Sequence, residues 1–376
     1  MLKKRIGIVG GGQLGKMLTM EAKKLGFTVI ILDPTRKSPA SQISDYQLVA
    51  DFKNEKAIQR LAELSDFITF EIELANADIL NEISKKGIKV NPSAKTLNII
   101  KDKLKQKQFL QINKIPVARF EEARSKEEIV EVAKKLGYPL LLKARFDAYD
   151  GRGNVLIKNE KDIDDALNKL ANRPLYTEEF INFEKELAVV VARSIKGEIV
   201  TYPVVETIHK NNICHIVLAP APIEDSIQKK ARYLAAKVMK VLKGAGVFGI
   251  EMFLDKNGGV LINEIAPRVH NSGHFTIEGC VTSQFEQHIR AITGMPLGKT
   301  EMKFPAAVMI NILGERQGKA DVKGLEKALK IPNTSVHIYG KEETKIERKM
   351  GHITVIDQSL KNALKKARLA RKYIYI

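Results

Sequence analysis

Residues 261–274 read LINEIAPRVHNSGH: a glutamate, an arginine, two histidines and three amide or hydroxyl side chains, fed by an apolar run. His270 and His274, four positions apart, would share a helix face as metal ligands. Ser272 and Gly273 between them disfavour a helix, however, and no H-E-x-x-H pattern occurs. The metal role therefore shifts to Glu264, at the end of the apolar run. Residues 247–266 carry the pattern and turn residues of a β-hairpin. With a loop of Lys256 to Gly259, Asp255 pairs with Val260 and Glu251 falls opposite Glu264. A change of one residue in loop length would move the pairing to Asn263. Like charges directly opposed in an apolar hairpin are destabilising. A divalent cation between them would relieve that, and two carboxylates plus substrate phosphates describe a Mg²⁺–nucleotide site. The plainer alternative is one exposed carboxylate and one paired with a nearby arginine.

Other segments fit a nucleotide. LLLKARFDAYDGRG sets Lys143 at a strand end, where a lysine serves phosphates as a point charge. In the loop that follows, Asp150 and Arg152 flank Gly151, with Gly153 beyond; it could close as a lid or be a solvated hairpin loop. TEEFI offers acceptor groups at a strand end, and Glu186 projects from the next strand, an arrangement suited to an adenine edge and ribose hydroxyls. No Walker A pattern, G-x-x-x-x-G-K-[ST], is present. GGGQLG at 10–15 matches G-x-G-x-x-G, with Asp33 at the end of the following strand, as in a dinucleotide fold. The same loop could cradle another anion or simply turn tightly, so three readings stay open.

The elements that must position these residues follow from periodicity. Residues 1–90 alternate strand and helix: RIGIVG, a helix with Leu14, Met17, Leu18, Ala22 and Leu25 on one face and closed by Gly26, then TVIILD, FITFEIE and IKVNPS. That series predicts a parallel sheet covered by helices. Beyond Pro92 a charged helical stretch, IIKDKLKQKQFLQINK, leads to a helix capped by Ser125 and Glu128. Strands LYTEEFI, KELAVVVARS and EIVTYPVVET, the long helix DSIQKKARYLAAKVMKVL and the hairpin come next; after GMPLG a smaller unit mixes strands and helices.

The 376 residues are 44% hydrophobic and 28% charged, an ordinary globular balance with room for two or three domains. No run of eighteen apolar residues suggests a membrane span, and the glycine-rich start reads as a first strand rather than a signal peptide. Two cysteines, Cys214 and Cys280, imply no disulfide framework and suit a reducing cytoplasm. The net charge of +18 raises nucleic-acid binding, but the basic residues are dispersed among glutamates without aromatic interleaving, so no nucleic-acid partner is expected.

Taken together the segments form a two-part nucleotide clamp, and the chain resembles the ATP-grasp superfamily. Within it the chain is similar to the N5-carboxyaminoimidazole ribonucleotide synthetase family nearly end to end. GGGQLG (10–15), FEIE (70–73), KDKLKQKQFL (101–110), YDGRGN (149–154), EEFINFEKE (178–186), NEIAPRVHNSGH (263–274) and RKMGHITV (348–355) carry the resemblance. It implies a mixed α/β fold: an N-terminal Rossmann-like parallel sheet (1–98), a central α+β ATP-grasp domain (99–296) with a lid at about 115–182, and a small C-terminal domain (297–376). It implies carboxylation of aminoimidazole ribonucleotide with ATP, Mg²⁺ and bicarbonate, through carboxyphosphate, in purine biosynthesis, by a cytoplasmic homodimer.

By the same resemblance Lys103 and Lys143 would bind ATP phosphates. Ala148, Tyr149, Asp150, Gly151, Arg152, Gly153 and Asn154 would form the loop over the nucleotide. Glu178, Glu179, Phe180 and Ile181 would hold adenine and Glu186 the ribose, with His209 nearby. Glu251 and Glu264 would bind Mg²⁺ beside Asn263. Gln13, Tyr149, Asp150 and Arg152 would contact the imidazole ribonucleotide, and Lys341 and Arg348 its 5′-phosphate. Arg268, His270 and Asn271 would line the carboxyphosphate space, leaving His274 without a role. Three departures stand out: Asp147-Ala148 replaces the family's usual Gly-Gly, Lys103 stands where an arginine is usual, and the Lys341–Arg348 spacing is longer, which makes Lys345 a competitor of Lys341. An NAD(P) oxidoreductase is the runner-up from another class, but it leaves Glu251, Glu264 and the histidine run unused. A formate-using glycinamide ribonucleotide transformylase would share the architecture; APRVHNSGH favours the carboxylase.

Overall fold

The structure, a computed structural model, describes residues 4–147 and 153–376. The loop residues Ala148, Tyr149, Asp150, Gly151 and Arg152 lie outside the described residues. Five parallel strands open the chain, ordered Tyr46–Leu48, Thr28–Leu32, Arg5–Val9, Phe67–Phe70, Lys89–Val90. Ile6, Ile8, Val9, Val29, Ile31 and Leu32 are fully buried, as in a parallel sheet covered on both faces. Helix Gln13–Lys24 packs Leu14, Met17, Leu18 and Ala22 inward, the face expected from their spacing.

The charged stretch after Pro92 is two helices rather than one, Ala94–Lys101 and Lys103–Ile112. Asp102 breaks it: its backbone is extended, and its carboxylate caps the second helix by accepting from the Lys105 amide. Asp102 also takes Arg145 Nε and Nη2 at 3.1 and 2.7 Å, while the Lys103 amide donates to the Arg145 carbonyl at 2.8 Å. Lys103 and Lys143, on separate elements, are thereby tied through one arginine.

A four-stranded antiparallel sheet follows, ordered Phe120–Glu121, Leu175–Glu179, Leu140–Ala144, Asn154–Ile157, with its own core around Ile129, Leu140, Leu142, Ile157 and Ile163. Ser125 caps helix Lys126–Leu136 as expected, but Glu128 reaches back to the Arg124 amide, not to that of Ser125.

The largest sheet runs Val260–Ala266, Gly246–Asp255, Phe183–Arg193, Val205–Lys210, Ile213–Ala219, Ala306–Leu313, Lys349–Asp357, Thr334–Ile338, with Ile199–Thr201 beside Phe183–Arg193. It does not stop where the sequence suggested a separate C-terminal unit. Ala306–Leu313 pairs antiparallel with Ile213–Ala219, so one sheet continues through both regions. EIVTYPVVET, expected as one strand, divides around Tyr202-Pro203, because proline has no N–H for the ladder.

The hairpin corrects the expected register. Leu254, not Asp255, pairs with Val260, so the turn is one residue wider. The Asp255 carboxylate causes this by accepting from the Asn257 and Gly259 amides at 2.7 and 2.8 Å, closing the turn on itself. A bulge at Asn263 then removes the offset, and Glu251 lies opposite Glu264 after all.

Candidate active site

The opposed glutamates differ electrostatically. Burial, then the charge of Glu264, pushes the Glu251 carboxyl up to about 7. Burial acts on Glu264 as well, but Lys103 outweighs it and holds that carboxyl below its usual value. Lys103 forms a short ion pair with Glu264 and lies 3.8 Å from Glu73. Glu73 in turn meets Arg268 Nη2 at 3.2 Å, so two cations and two carboxylates converge beside the hairpin. His270 Nε2 lies 3.4 Å from Glu251, and its Nδ1 lies 2.8 Å from the Ser272 hydroxyl. Burial and Arg268 keep that ring neutral. Asn271 exchanges two amide hydrogen bonds with Asn311, at 3.0 and 2.6 Å. Among the described residues no group of three or more His, Cys, Asp or Glu could hold a metal. Two carboxylates suit a cation that takes its remaining ligands from phosphate and water.

A second cluster joins the four-stranded sheet to the helix after Asp102. The Glu178 carboxylate, 1% exposed, sits between Lys107 at 3.2 Å and Lys143 at 3.5 Å. Burial would raise the Glu178 pKa, but the two lysines outweigh it. Burial pushes Lys107 below the usual lysine value despite Glu178. Glu179 is engaged by Arg119 at 2.8 and 3.0 Å, and Phe180 is exposed. Glu186 lies 2.5 Å from His209 Nδ1; burial would lower the His209 pKa, but Glu186 outweighs it and raises it. Both line a cavity of about 440 Å³ with Lys185, Glu206 and Thr207. Gly153 has φ +108°, and Asn154 pairs with Lys143 across the strands. Asp147 has φ +55°, a left-handed conformation that glycine adopts freely and Asp is among the few other residues to tolerate. An aspartate can therefore stand at the first of the two positions where the resemblance leads to an expected glycine.

Lys341 turns inward, donating to the Lys349 carbonyl at 2.6 Å beside the Tyr339 ring. Burial lowers it to about 8; Arg348 adds to the shift and Glu71 opposes it. Lys345 is exposed, and Arg348, also exposed, donates to the Glu343 carbonyl at 2.7 Å.

The glycine loop is filled from within. The Gly11 amide donates to Asp33 at 2.7 Å, and Gly12 and Gly15 donate to Glu71 at 2.5 and 2.7 Å. A dinucleotide pyrophosphate would need those same amides, and Asp33 would have to be free for a ribose. Gly10, at φ +104°, makes room for Glu71: a Cβ there would stand 2.4 Å from its Cγ. Gly10→Ala is expected to cost on the order of 2–4 kcal/mol, from backbone strain and overlap. Urea denaturation measures it, and a loss below ~0.5 kcal/mol would contradict this packing. Gln13 follows the loop as the first residue of its helix.

Glu71, Glu73, Lys107 and Asn311 were missed as site residues in the sequence. A usable signal existed for the first two: charges at alternate positions directly after the apolar strand Phe67–Phe70.

A four-stranded sheet bearing Lys143, together with a larger sheet carrying opposed carboxylates, is the arrangement of an ATP-grasp protein. The family description "ATP-grasp domain" matches residues 108–285, "Ribonucleotide synthetase preATP-grasp domain" residues 3–101, and "Phosphoribosylaminoimidazole carboxylase C-terminal domain" residues 307–366. The chain belongs to the N5-carboxyaminoimidazole ribonucleotide synthetase family. The crystal structure of that synthetase from Thermotoga maritima is 50% identical, with TM-score 0.90 and 99% of each chain covered. The synthase from Aspergillus clavatus, in complex with ADP and 5-aminoimidazole ribonucleotide, is 39% identical, with TM-score 0.91 over 99% of this chain and 98% of that one. Phosphoribosylaminoimidazole carboxylase from Ogataea methanolica is 48% identical over 94% of this chain, which spans 67% of that longer protein. Among the described residues no helix is long and apolar enough to cross a membrane.

Proposed function

We propose that the chain carboxylates the 5-amino group of aminoimidazole ribonucleotide, using ATP and bicarbonate, in purine biosynthesis. The observation that carries this is the opposed Glu251–Glu264 pair facing Lys103, Arg268 and His270, in a chain closely similar to a synthase crystallised with ADP and that ribonucleotide.

A bicarbonate oxygen attacks the γ-phosphorus of ATP, ADP leaves, and carboxyphosphate results. The substrate amine then attacks the carboxyl carbon, losing a proton, and phosphate departs with the oxygen that bicarbonate contributed. Such a transfer needs charge neutralisation more than a covalent nucleophile. Lys103 and Lys143 meet the phosphates, while Glu178 keeps Lys143 in place. The chain from Glu178 to Ile181 borders adenine, Glu178 by its backbone since its carboxylate is turned to Lys107 and Lys143. Glu186 takes the ribose, with His209 steadying that carboxylate. Arg268, His270 and Asn271 hold the carboxyphosphate, and Glu73 orients Arg268. Gln13, Lys341 and Arg348 take the ribonucleotide, aided by Tyr149, Asp150 and Arg152; the inward Lys341, within electrostatic range of Glu71, suits this better than Lys345. Glu251 and Glu264, beside Asn263, would hold Mg²⁺, which when bound neutralises phosphate oxygens. The Glu264 carboxyl is held below its usual value, ready to serve as an anionic ligand, and Glu251, raised to about 7, would have to be deprotonated to act as the second one.

The ATP-binding unit is assigned to 99–296 between units at 1–98 and 297–376, and the assembly is a cytoplasmic homodimer, to be checked by sedimentation. With ATP, Mg²⁺ and bicarbonate supplied, ADP release should rise when aminoimidazole ribonucleotide is added. A rate indifferent to the ribonucleotide would remove the assignment.

A further inference from the structure

His274 and Gln284 have no part in the chemistry above, yet both are buried against it, at 1% and 0% exposure. Gln284 opens the helix Gln284–Thr293, and its own amide is anchored to the Thr276 hydroxyl at 2.9 Å. Its side chain treats His270 as a neighbouring strand would: Oε1 accepts from the His270 amide at 2.9 Å, and Nε2 donates to the His270 carbonyl at 2.7 Å. The second Nε2 hydrogen goes to His274 Nδ1 at 3.1 Å. Burial lowers the His274 pKa to about 3, so the ring is neutral and its Nδ1 can accept. Reversing the Gln284 amide would set NH₂ against the His270 amide and oxygen against its carbonyl, so only one orientation satisfies all three partners.

Two glycines keep this arrangement open. A Cβ on Gly273 would stand 2.4 Å from Gln284 Oε1, and one on Gly249 would stand 2.5 Å from the His270 Cβ. The His274 ring is wedged between Phe285 and His352, with centroids 5.6 and 4.9 Å away. Among the described residues the polar partners of the His270 ring are the local Ser272, through its hydroxyl and amide, and Glu251. The placement of its ring therefore depends on how its main chain is held.

We infer that Gln284 is a positioning residue that clamps the His270 main chain, with His274 as the acceptor that fixes the orientation of the Gln284 amide. The inference rests on the proposed carboxylation, in which His270 borders the carboxyphosphate. A displaced His270 leaves the nucleotide contacts intact but lets carboxyphosphate be lost to water before the amine captures it.

The test compares wild type with Gln284→Met, His274→Leu and His274→Asn, whose amide oxygen can replace Nδ1 as acceptor. For each, ADP and carboxylated ribonucleotide are measured together. Wild type should yield about one product per ADP. Gln284→Met and His274→Leu should fall well below half, and productive turnover should drop by on the order of tenfold to 10²-fold. KM for ATP should stay within about twofold, since no nucleotide contact is altered. His274→Asn should restore the ratio. If Gln284→Met does not fold, the Leu–Asn comparison at His274 decides alone, because loss of packing would affect both variants while loss of the acceptor affects only Leu. Wild-type coupling in folded His274→Leu, or equal uncoupling in Leu and Asn, overturns the inference. A wild-type enzyme whose ADP release ignores the ribonucleotide removes the carboxylase reading, and the inference with it.

Discussion

Glu251→Gln is expected to make the protein more stable at pH 8 while removing its activity. Burial and the facing Glu264 raise the Glu251 carboxyl to about 7. A carboxyl whose pKa is higher folded than unfolded contributes stability below its unfolded value, and that contribution is lost as pH rises through the folded value. The loss here spans pH 4.5 to about 7. Gln mimics the protonated form at every pH. The Glu251 side chain is 31% exposed, so solvent screening reduces the effect to about 1–2 kcal/mol. The gain should be present at pH 8 and vanish near pH 4.5 in urea denaturation without Mg²⁺. Turnover should fall by at least ~10²-fold, because one of two anionic metal ligands is gone. An active variant would contradict the metal role of Glu251, and one less stable at pH 8 would contradict the like-charge pair.

The largest loss of stability is expected at Glu178. Its carboxylate is the shared partner of Lys107, 2% exposed, and Lys143. Glu178→Ala leaves a buried ammonium without its counterion, which typically costs 3–5 kcal/mol. Combining it with Lys107→Met should recover most of that loss, since Lys143 can turn toward the cleft, whereas Lys107→Met alone should not be neutral. Chemical denaturation of the three variants forms the cycle. A Glu178→Ala loss below ~1 kcal/mol would mean that this pair is not the buried tie described.

The parallel sheet, the long helix Asp225–Leu242 and the opposition of Glu251 and Glu264 were legible because each follows from local periodicity. The register was reached by a different route: a turn widened by the Asp255 carboxylate and a bulge at Asn263 cancel. No local pattern announces a pair of compensating irregularities. The glycine loop shows a deeper limit. GGGQLG says that something approaches the backbone closely, but the group that does so is Glu71, 59 residues from Gly12. Lys107 reads as one more surface lysine in KDKLKQKQFL, and only the fold shows it buried on Glu178. Asn311 and Gln284 were illegible for the same reason: their partners come from distant segments, and buried amides are ordinary residues in sequence.

Oxygen transfer tests the central claim most directly. Wild-type enzyme is supplied with ATP, Mg²⁺, aminoimidazole ribonucleotide and ¹⁸O-labelled bicarbonate, and the released phosphate is analysed by mass. If a bicarbonate oxygen attacks the γ-phosphorus, each phosphate should carry one ¹⁸O, and ADP and carboxylated ribonucleotide should form in equal amounts. Phosphate without label, with ADP still formed, would mean that water attacks ATP and that the site built around Glu251, Glu264, Arg268 and His270 does not make carboxyphosphate.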